Sequence, residues 1–338
     1  MGNVLFLSEN AMQYTAPPAP ESAIEYMPED TESFLDGLLH IIKAAFGQLH
    51  PAITVAASVF LTIIVIIVLC AMLQSISEKS RNAMTFAAAV SISLSLLSTT
   101  NTLIGLATDT VNELSEYGKL LLPVMTGALA AQGGITTSAA LYSGTALFSS
   151  ILSSVISQLI VPVVYIFLCL SVANSCLGDD LLKQLRDSAK KFGVWCLKTV
   201  LYVFTGYMSI TGVITGTTDA SALKATKLAI SGTIPVVGGI LSDASETILI
   251  GAGLMKNIAG VYGLLAMICI WIGPFLQIGV QYLLLNMTCA VCGVFGNKQL
   301  TDLLKDFSTA MGLLLAMTGA VCLLLLVSTV CFMKGMSQ

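Results

Sequence analysis

The run STAMGLLLAMTGAVCLLLLVSTVCFM, residues 308–333, decides the fold class of this protein. It contains no charged side chain, and it exceeds the roughly 20 apolar residues that a helix needs to cross a bilayer. Further charge-free windows precede it, at residues 44–77, 82–108, 120–178, 199–218 and 257–297. The sequence therefore predicts an all-α membrane protein that crosses the bilayer many times.

The composition of the whole chain supports the same fold class. Hydrophobic residues make up 56% of the 338 residues and charged residues only 10%, whereas soluble proteins carry about 25% charged residues. The mean hydropathy is +0.89. So few charges cannot cover the surface of a soluble domain. The composition therefore excludes a cytosolic enzyme, a nucleic-acid-binding protein and a disordered protein.

Three regions follow from the pattern of charge and proline. Residues 1–33 are acidic and contain four prolines, so we expect a mobile tail. Residues 34–50 carry leucine, isoleucine and phenylalanine at helical spacing, which predicts an amphipathic helix in the membrane interface. Residues 51–338 form the membrane domain. Its windows predict one span each at 52–73, 83–106, 194–216 and 308–333, two or three spans in 120–178, and two in 257–297, divided near Pro274.

Two segments that contain proline and glycine indicate an internal repeat. Residues 122–129 (LPVMTGAL) match residues 234–241 (IPVVGGIL) at four of eight positions with an offset of 112, and Pro162 and Pro274 have the same offset. The two units would cover about 83–192 and 194–307, followed by the final span 308–333. Proline and glycine at membrane depth are typical of broken or re-entrant helices, so both segments predict one.

Two topologies remain open, with eight or with ten transmembrane helices. In the first, residues 120–133 and 232–242 are re-entrant, the repeats are inverted, and seven basic residues lie on each side of the membrane. In the second, these segments cross fully, the repeats are parallel, and the basic residues divide nine to five. We favour eight spans, because the second topology brings Asp243 and Glu246 close to a span.

The candidate functional residues share one role, which is to break a helix or to line a path through the membrane. They are Pro123, Gly127, Gly133, Gly134, Lys198, Pro235, Gly238, Gly239, Asp243 and Glu246. Lys198 lies inside a predicted span, either as a charge on a path or as a side chain that snorkels to the interface. The pair Asp243 and Glu246 fits a capping box, with a polar vestibule as the alternative.

We find no catalytic constellation and expect no enzyme, metal or cofactor. The two histidines, His40 and His50, both lie on the amino-terminal amphipathic helix. Cys289 and Cys292 form a C-x-x-C pair inside an apolar span, where two small packing residues are the simpler interpretation. The serine- and threonine-rich run 137–154 predicts either close helix packing or a hydrated path between helices.

One region of the sequence resembles a known family. Residues 205–216 (TGYMSITGVITG), Asp219, Lys227 and the segments 234–239 (IPVVGG), 243–247 (DASET) and 254–257 (LMKN) are similar to the stage III sporulation protein AE family. The resemblance runs from about residue 33 to the carboxyl terminus. Members usually begin with a signal-like segment, and the apolar run from Val4 to Leu7 is too short for one, so we expect this segment to differ or to have been removed.

The resemblance implies a multi-pass membrane protein of an endospore-forming bacterium, in the mother-cell (outer forespore) membrane during engulfment. The implied partners are the other membrane and ring proteins of the stage III sporulation A operon, their ATPase (stage III sporulation protein AA) and, indirectly, stage II sporulation protein Q. The implied function is a platform or channel subunit needed for late forespore gene expression and spore formation, with a possible homo-oligomer and no nucleic acid. A stand-alone secondary transporter and a non-conducting scaffold remain the alternatives.

Overall fold

The computed structural model describes residues 17–28, 34–76, 81–131, 135–177, 180–210, 258–295 and 297–336. Over these residues the regular structure is entirely helical, which confirms the predicted fold class. The helices are α1 Glu21–Ile24, α2 Phe34–Gly47, α3 His50–Ile76, α4 Arg81–Ala131, α5 Ile135–Val155, α6 Val161–Leu177, α7 Asp180–Ile210, α8 Ile258–Val294 and α9 Lys298–Met336. A π-helical turn, Ile156–Ile160, joins α5 to α6.

Five of the described helical segments are long and apolar enough to cross a membrane. They are α3, α4, the continuous path of α5 and α6, α8 and α9. The predicted spans 52–73 and 308–333 lie within α3 and α9. The predicted span 194–216 begins in α7 and ends outside the described residues, which also leave out residues 211–257 of the second repeat. The count of eight to ten spans therefore stays a prediction.

The carboxyl-terminal helix α9 occupies the centre of the bundle. In its most apolar stretch 94% of the residues are buried, whereas in the most apolar stretch of α3 only 22% are buried. A helix that is apolar on every side must be covered on every side, and α9 packs against α4, α5, α6, α7 and α8. The exposed apolar side chains instead lie on the outer helices, for example Leu61 and Leu69 of α3, where a bilayer would cover them.

Contacts along α9 show how its neighbours are arranged. Near its amino terminus the thiol of Cys289 on α8 approaches the carbonyl of Thr301 at 3.6 Å. Near its carboxyl terminus Met333 lies against Gly260 of α8. Since residue 260 of α8 is close to residue 333, and residue 289 to residue 301, α8 and α9 are antiparallel along their whole length.

Helix α4 passes through Pro123 and Gly127 without a break, so the prediction of a broken helix at these two residues is wrong. A proline removes one helical hydrogen bond, but the surrounding contacts can hold the helix together. The side chains of Leu121, Leu122 and Met125 are buried on either side of the proline and keep this part of α4 in the bundle. Gly133 and Gly134 lie outside the described residues.

The window 257–297 forms one helix, α8, which contains Pro274 in its interior. The prediction of two spans divided near Pro274 is therefore wrong. Pro162 is accommodated differently, because it follows the π-helical turn, in which the amide of Val161 bonds the carbonyl of Ile156. Such a turn widens the helix next to a residue that cannot donate a hydrogen bond. In neither place does the proline reverse the direction of the chain.

The long helices exceed the thickness of a bilayer. At 1.5 Å per residue the 51 residues of α4 extend about 76 Å, whereas the hydrocarbon core is about 30 Å thick. Its first half is apolar, and Asp109, Glu113, Glu116 and Lys119 follow within three turns. Because charged side chains are costly in hydrocarbon, we infer that this part of α4 projects from the membrane.

The amino-terminal region packs on α8. Helix α2 buries Phe34, Ile41 and Ala45 and exposes Leu35, Leu39 and Phe46 on its other face. This two-sided arrangement suits a helix at the membrane interface. Residues 17–28, part of the predicted tail, also lie against the bundle, with the side chain of Ala23 fully buried beside α8.

A pair of leucine substitutions separates the buried centre from the outer surface. Leu324 of α9 is 1% exposed and Leu61 of α3 is 61% exposed. Leu324→Ala leaves a cavity and should cost about 2–5 kcal/mol of stability. Leu61→Ala leaves no cavity and should cost much less. Melting temperatures of the purified variants in detergent test this, and equal losses would show that α9 is not enclosed.

Candidate functional site

Three of the ten candidate residues lie in the described part of the chain, on two different helices. Pro123 and Gly127 are on α4, and Lys198 is exposed on α7, next to the buried Leu197. The other seven candidates, from Gly133 to Glu246, lie outside the described residues. Whether any of them lines a path stays a prediction.

The described residues contain a buried ion pair that sequence reasoning did not single out. Nη1 of Arg186 on α7 lies 2.8 Å from Oδ2 of Asp306 on α9. The Arg186 side chain is 8% exposed and that of Asp306 12%, so the pair is almost fully removed from solvent. The hydroxyl of Ser171 on α6 is within hydrogen-bonding reach of the same carboxylate. The contact therefore joins three helices.

A second carboxylate completes the coordination of the guanidinium. Nε and Nη2 of Arg186 donate to Oδ1 of Asp187 at 3.1 and 2.9 Å, and Asp187 is half exposed. An arginine side chain keeps its proton in proteins, and the carboxylates of Asp306 and Asp187 balance its positive charge here. Arg186 therefore stays charged, and a buried positive charge of this kind requires its partner.

A signal for this pair exists in the sequence, in the periodicity of α7. Residues 182, 186, 189, 193, 196 and 197 repeat at helical spacing, and all but Arg186 are uncharged. A single charge on an otherwise apolar helix face indicates a buried charge with a partner. The many charges elsewhere in residues 179–191 hide this signal, because together they are typical of a solvated connecting segment. Residues 180–183 and 302–305 have the same sequence, DLLK. Arg186 follows the first of these segments and Asp306 follows the second.

Hydroxyl groups form a second contact at the other end of α9. Oγ1 of Thr145 on α5 donates to Oγ of Ser328 on α9 at 2.9 Å, and both side chains are fully buried. One residue earlier, Gly144 receives the ring of Tyr207 from α7, whose hydroxyl donates to the carbonyl of Ala140 at 2.8 Å. Thr145 and Gly144 thus act in helix packing, the first of the two interpretations of the run 137–154.

A third polar contact joins α3, α4 and the start of α9. Nε2 of Gln74 donates to Oγ1 of Thr85 at 3.0 Å, and Nδ2 of Asn297 reaches the same oxygen at 3.4 Å. Asn297 also caps α9, because its Oδ1 accepts from the amide of Leu300 at 3.2 Å. Within the described residues no group of three histidine, cysteine or acidic side chains is placed to hold a metal ion.

Comparison with known proteins identifies the family. The family model described as stage III sporulation protein AE matches residues 26–335, which is nearly the whole chain. The chain belongs to the stage III sporulation protein AE family. The resemblance seen in residues 205–257 is thereby confirmed.

A curated relative agrees with the family model. The stage III sporulation protein AE of Bacillus subtilis (strain 168) is 23% identical over 293 residues, which cover 85% of this chain and 73% of the relative. No solved structure matches the chain. Family membership supports a role in sporulation, and the apolar helices support a membrane location in a spore-forming bacterium.

Single and double substitutions test the ion pair. Arg186→Met or Asp306→Leu alone leaves one buried charge without its partner and should cost about 3–5 kcal/mol of stability. The double variant removes both charges and should recover most of the loss. The melting temperature in detergent is the measurement, with Asp187→Asn at the half-exposed position as the mild control. Losses that simply add in the double variant would show that the two charges do not interact.

Glycine-to-alanine substitutions test the packing of α5 on α7. A Cβ atom at Gly144 would overlap the ring of Tyr207, so Gly144→Ala must displace an aromatic side chain and should cost about 1–3 kcal/mol. Gly206 of α7 has nothing within 4 Å of the same position. Gly206→Ala should therefore stabilise the helix by up to about 1 kcal/mol. Changes of the same sign in both melting temperatures would contradict the observed packing.

Proposed function

We propose that this protein is a non-enzymatic platform subunit of the secretion-like complex that joins mother cell and forespore. It would lie in the mother-cell membrane and support late forespore gene expression. Membership of a sporulation family and the membrane-spanning helices support the proposal. Its expected partners are the membrane and ring proteins of the same operon and their ATPase, stage III sporulation protein AA, with stage II sporulation protein Q as an indirect partner.

The burial of α9 is the observation that carries the platform role. A subunit that conducted through its own middle would need polar groups facing a central space. Here the middle of the described bundle is filled by an apolar helix, and buried polar side chains on it such as Ser328 and Thr329 bond a neighbouring helix or their own backbone. We therefore expect any conducting path to lie between copies of the protein or between it and its partners.

A stand-alone transporter is the second candidate, and one observation favours it. Ionisable groups buried among membrane helices often belong to transport or proton pathways, and Arg186 with Asp306 is such a pair. However, the guanidinium is held by two carboxylates, and the geometry is that of a fixed structural contact. We therefore regard the pair as a link between helices.

Sporulation of the double variant discriminates between the two functions. In a strain that carries Arg186→Met and Asp306→Leu, the platform function predicts near-normal spore counts, because the packing is kept and no charge is needed. The transporter function predicts loss of sporulation although the protein is present at normal level. Spore counts after heat treatment, with immunoblots for protein level, provide the measurement. Loss of sporulation with normal protein level and normal complex assembly would overturn the proposal.

Co-purification from sporulating cells tests the assembly itself. The tagged full-length protein should retain the membrane and ring subunits and the ATPase in fixed ratios. The purified protein alone, in liposomes, should show no saturable uptake of solutes. A protein that purifies without these subunits and catalyses saturable uptake would be a transporter.

A further inference from the structure

The segment that precedes α1 lies in a groove between α4 and α8 and is held there by its main chain. The hydroxyl of Tyr117 on α4 donates to the carbonyl of Pro17 at 3.2 Å. The amide of Ala19 donates to the hydroxyl of Tyr262 on α8, also at 3.2 Å. Tyr117 is 3% exposed and Ala19 is 8% exposed, so the contact is a buried one.

The sequence of this segment favours a polyproline II conformation, because Pro17 and Ala19 each precede a proline. Pro20 has φ −65° and ψ 161°, and residues 17–20 (PPAP) have no regular secondary structure. Proline restricts φ in the unbound chain as well, so such a segment loses little conformational entropy when it binds. Grooves lined by aromatic side chains that bond the peptide main chain are the usual receptors for proline-rich segments.

From these contacts we propose that Tyr117 and Tyr262 form a binding site for an extended proline-containing segment. Residues 17–20 of the same chain occupy the site and act as a latch across α4 and α8. The two hydroxyl groups bond the main chain on either side of Pro18, whose fixed φ angle sets the relative direction of the Pro17 carbonyl and the Ala19 amide. A proline-rich segment of another protein would therefore compete for the same two tyrosines.

Contacts that follow the latch fix its position along α8. The hydroxyl of Ser22 donates to a carboxylate oxygen of Glu113 on α4. The ring of Tyr26 lies over Gly273, where a Cβ atom would come within 2.9 Å of its hydroxyl. The sulfur atoms of Met27 and Cys269 are 3.8 Å apart. The latch and the residues that follow it therefore extend over about three turns of α8, from Tyr262 to Gly273.

A native thiol provides the test in the full-length protein. Met27→Cys places a second thiol beside Cys269, and mild oxidation should join the two within one chain. Ile24→Cys is the matched control, because Ile24 is 58% exposed. Peptide mapping identifies the cross-link among the native cysteines. A cross-link that joins two chains, or equal yields for the two positions, would overturn the assignment of the latch to its own chain.

The role of the tyrosines is tested in the same Met27→Cys protein. Tyr117→Phe combined with Tyr262→Phe removes both hydrogen bonds and should slow cross-linking by about threefold to tenfold. Tyr202→Phe, at a position 72% exposed on α7, should leave the rate unchanged. The comparison uses variants with wild-type melting temperature. An unchanged rate in the double phenylalanine variant would show that the two hydroxyl groups do not hold the segment.

Competition tests whether the site accepts a segment from outside. The probe is a synthetic peptide with the sequence of residues 17–27, and its control carries glycine in place of all three prolines. The tethered segment has an effective concentration in the millimolar range, so the peptide should slow cross-linking above about 1 mM. The glycine peptide should have a weaker effect. Equal effects of both peptides, or none at about 10 mM, would show that the groove does not recognise a proline-containing segment.

Discussion

The enclosure of α9 is the constraint on which the rest of the structure depends. A helix that is apolar on all sides could lie in lipid, but α9 is about 59 Å long and the hydrocarbon core is about 30 Å thick. Near Leu325 its neighbour is Gly118 of α4, in the stretch where α4 carries Asp109, Glu113 and Glu116. Lipid cannot cover α9 at that level, so other helices must.

Apolar packing alone does not fix how far one helix slides along another, because neighbouring turns of leucine are similar surfaces. Directional contacts supply the register. Arg186 and Asp306 fix the position of α7 along the start of α9. Thr145 and Ser328 fix the position of α5 along the end of α9. A buried ion pair contributes little net stability compared with apolar side chains of the same size. The pair instead specifies the arrangement of the helices, because any arrangement that separates the two charges is strongly destabilised.

The sequence predicts the helical membrane fold well and the boundaries of its helices less well. Windows without charge place α3 closely, whereas α9 begins at Lys298, ten residues before the predicted span 308–333. Charge-free windows do not predict the length of α4, because its backbone hydrogen bonds continue through charged residues such as Glu113 once the helix has left the lipid. They also do not predict that α8 continues through Pro274, where packing on α9 holds the helix together. The pairing of Arg186 escapes prediction because its partner, Asp306, is 120 residues away and only the folded chain brings them together.

The length of the helices bears on how the protein works in a complex. Since α4 and α9 are both longer than the hydrocarbon core is thick, we infer that about 30 Å of the bundle projects from the membrane on one side. That projecting part carries the acidic surface of α4 and the groove occupied by residues 17–20. The lipid-facing helices can be covered by lipid alone, whereas the projecting part presents polar groups and a peptide groove to soluble segments of other proteins. If the proposed complex forms, we expect its other subunits to contact the projecting part, which the apolar centre of the bundle holds rigid.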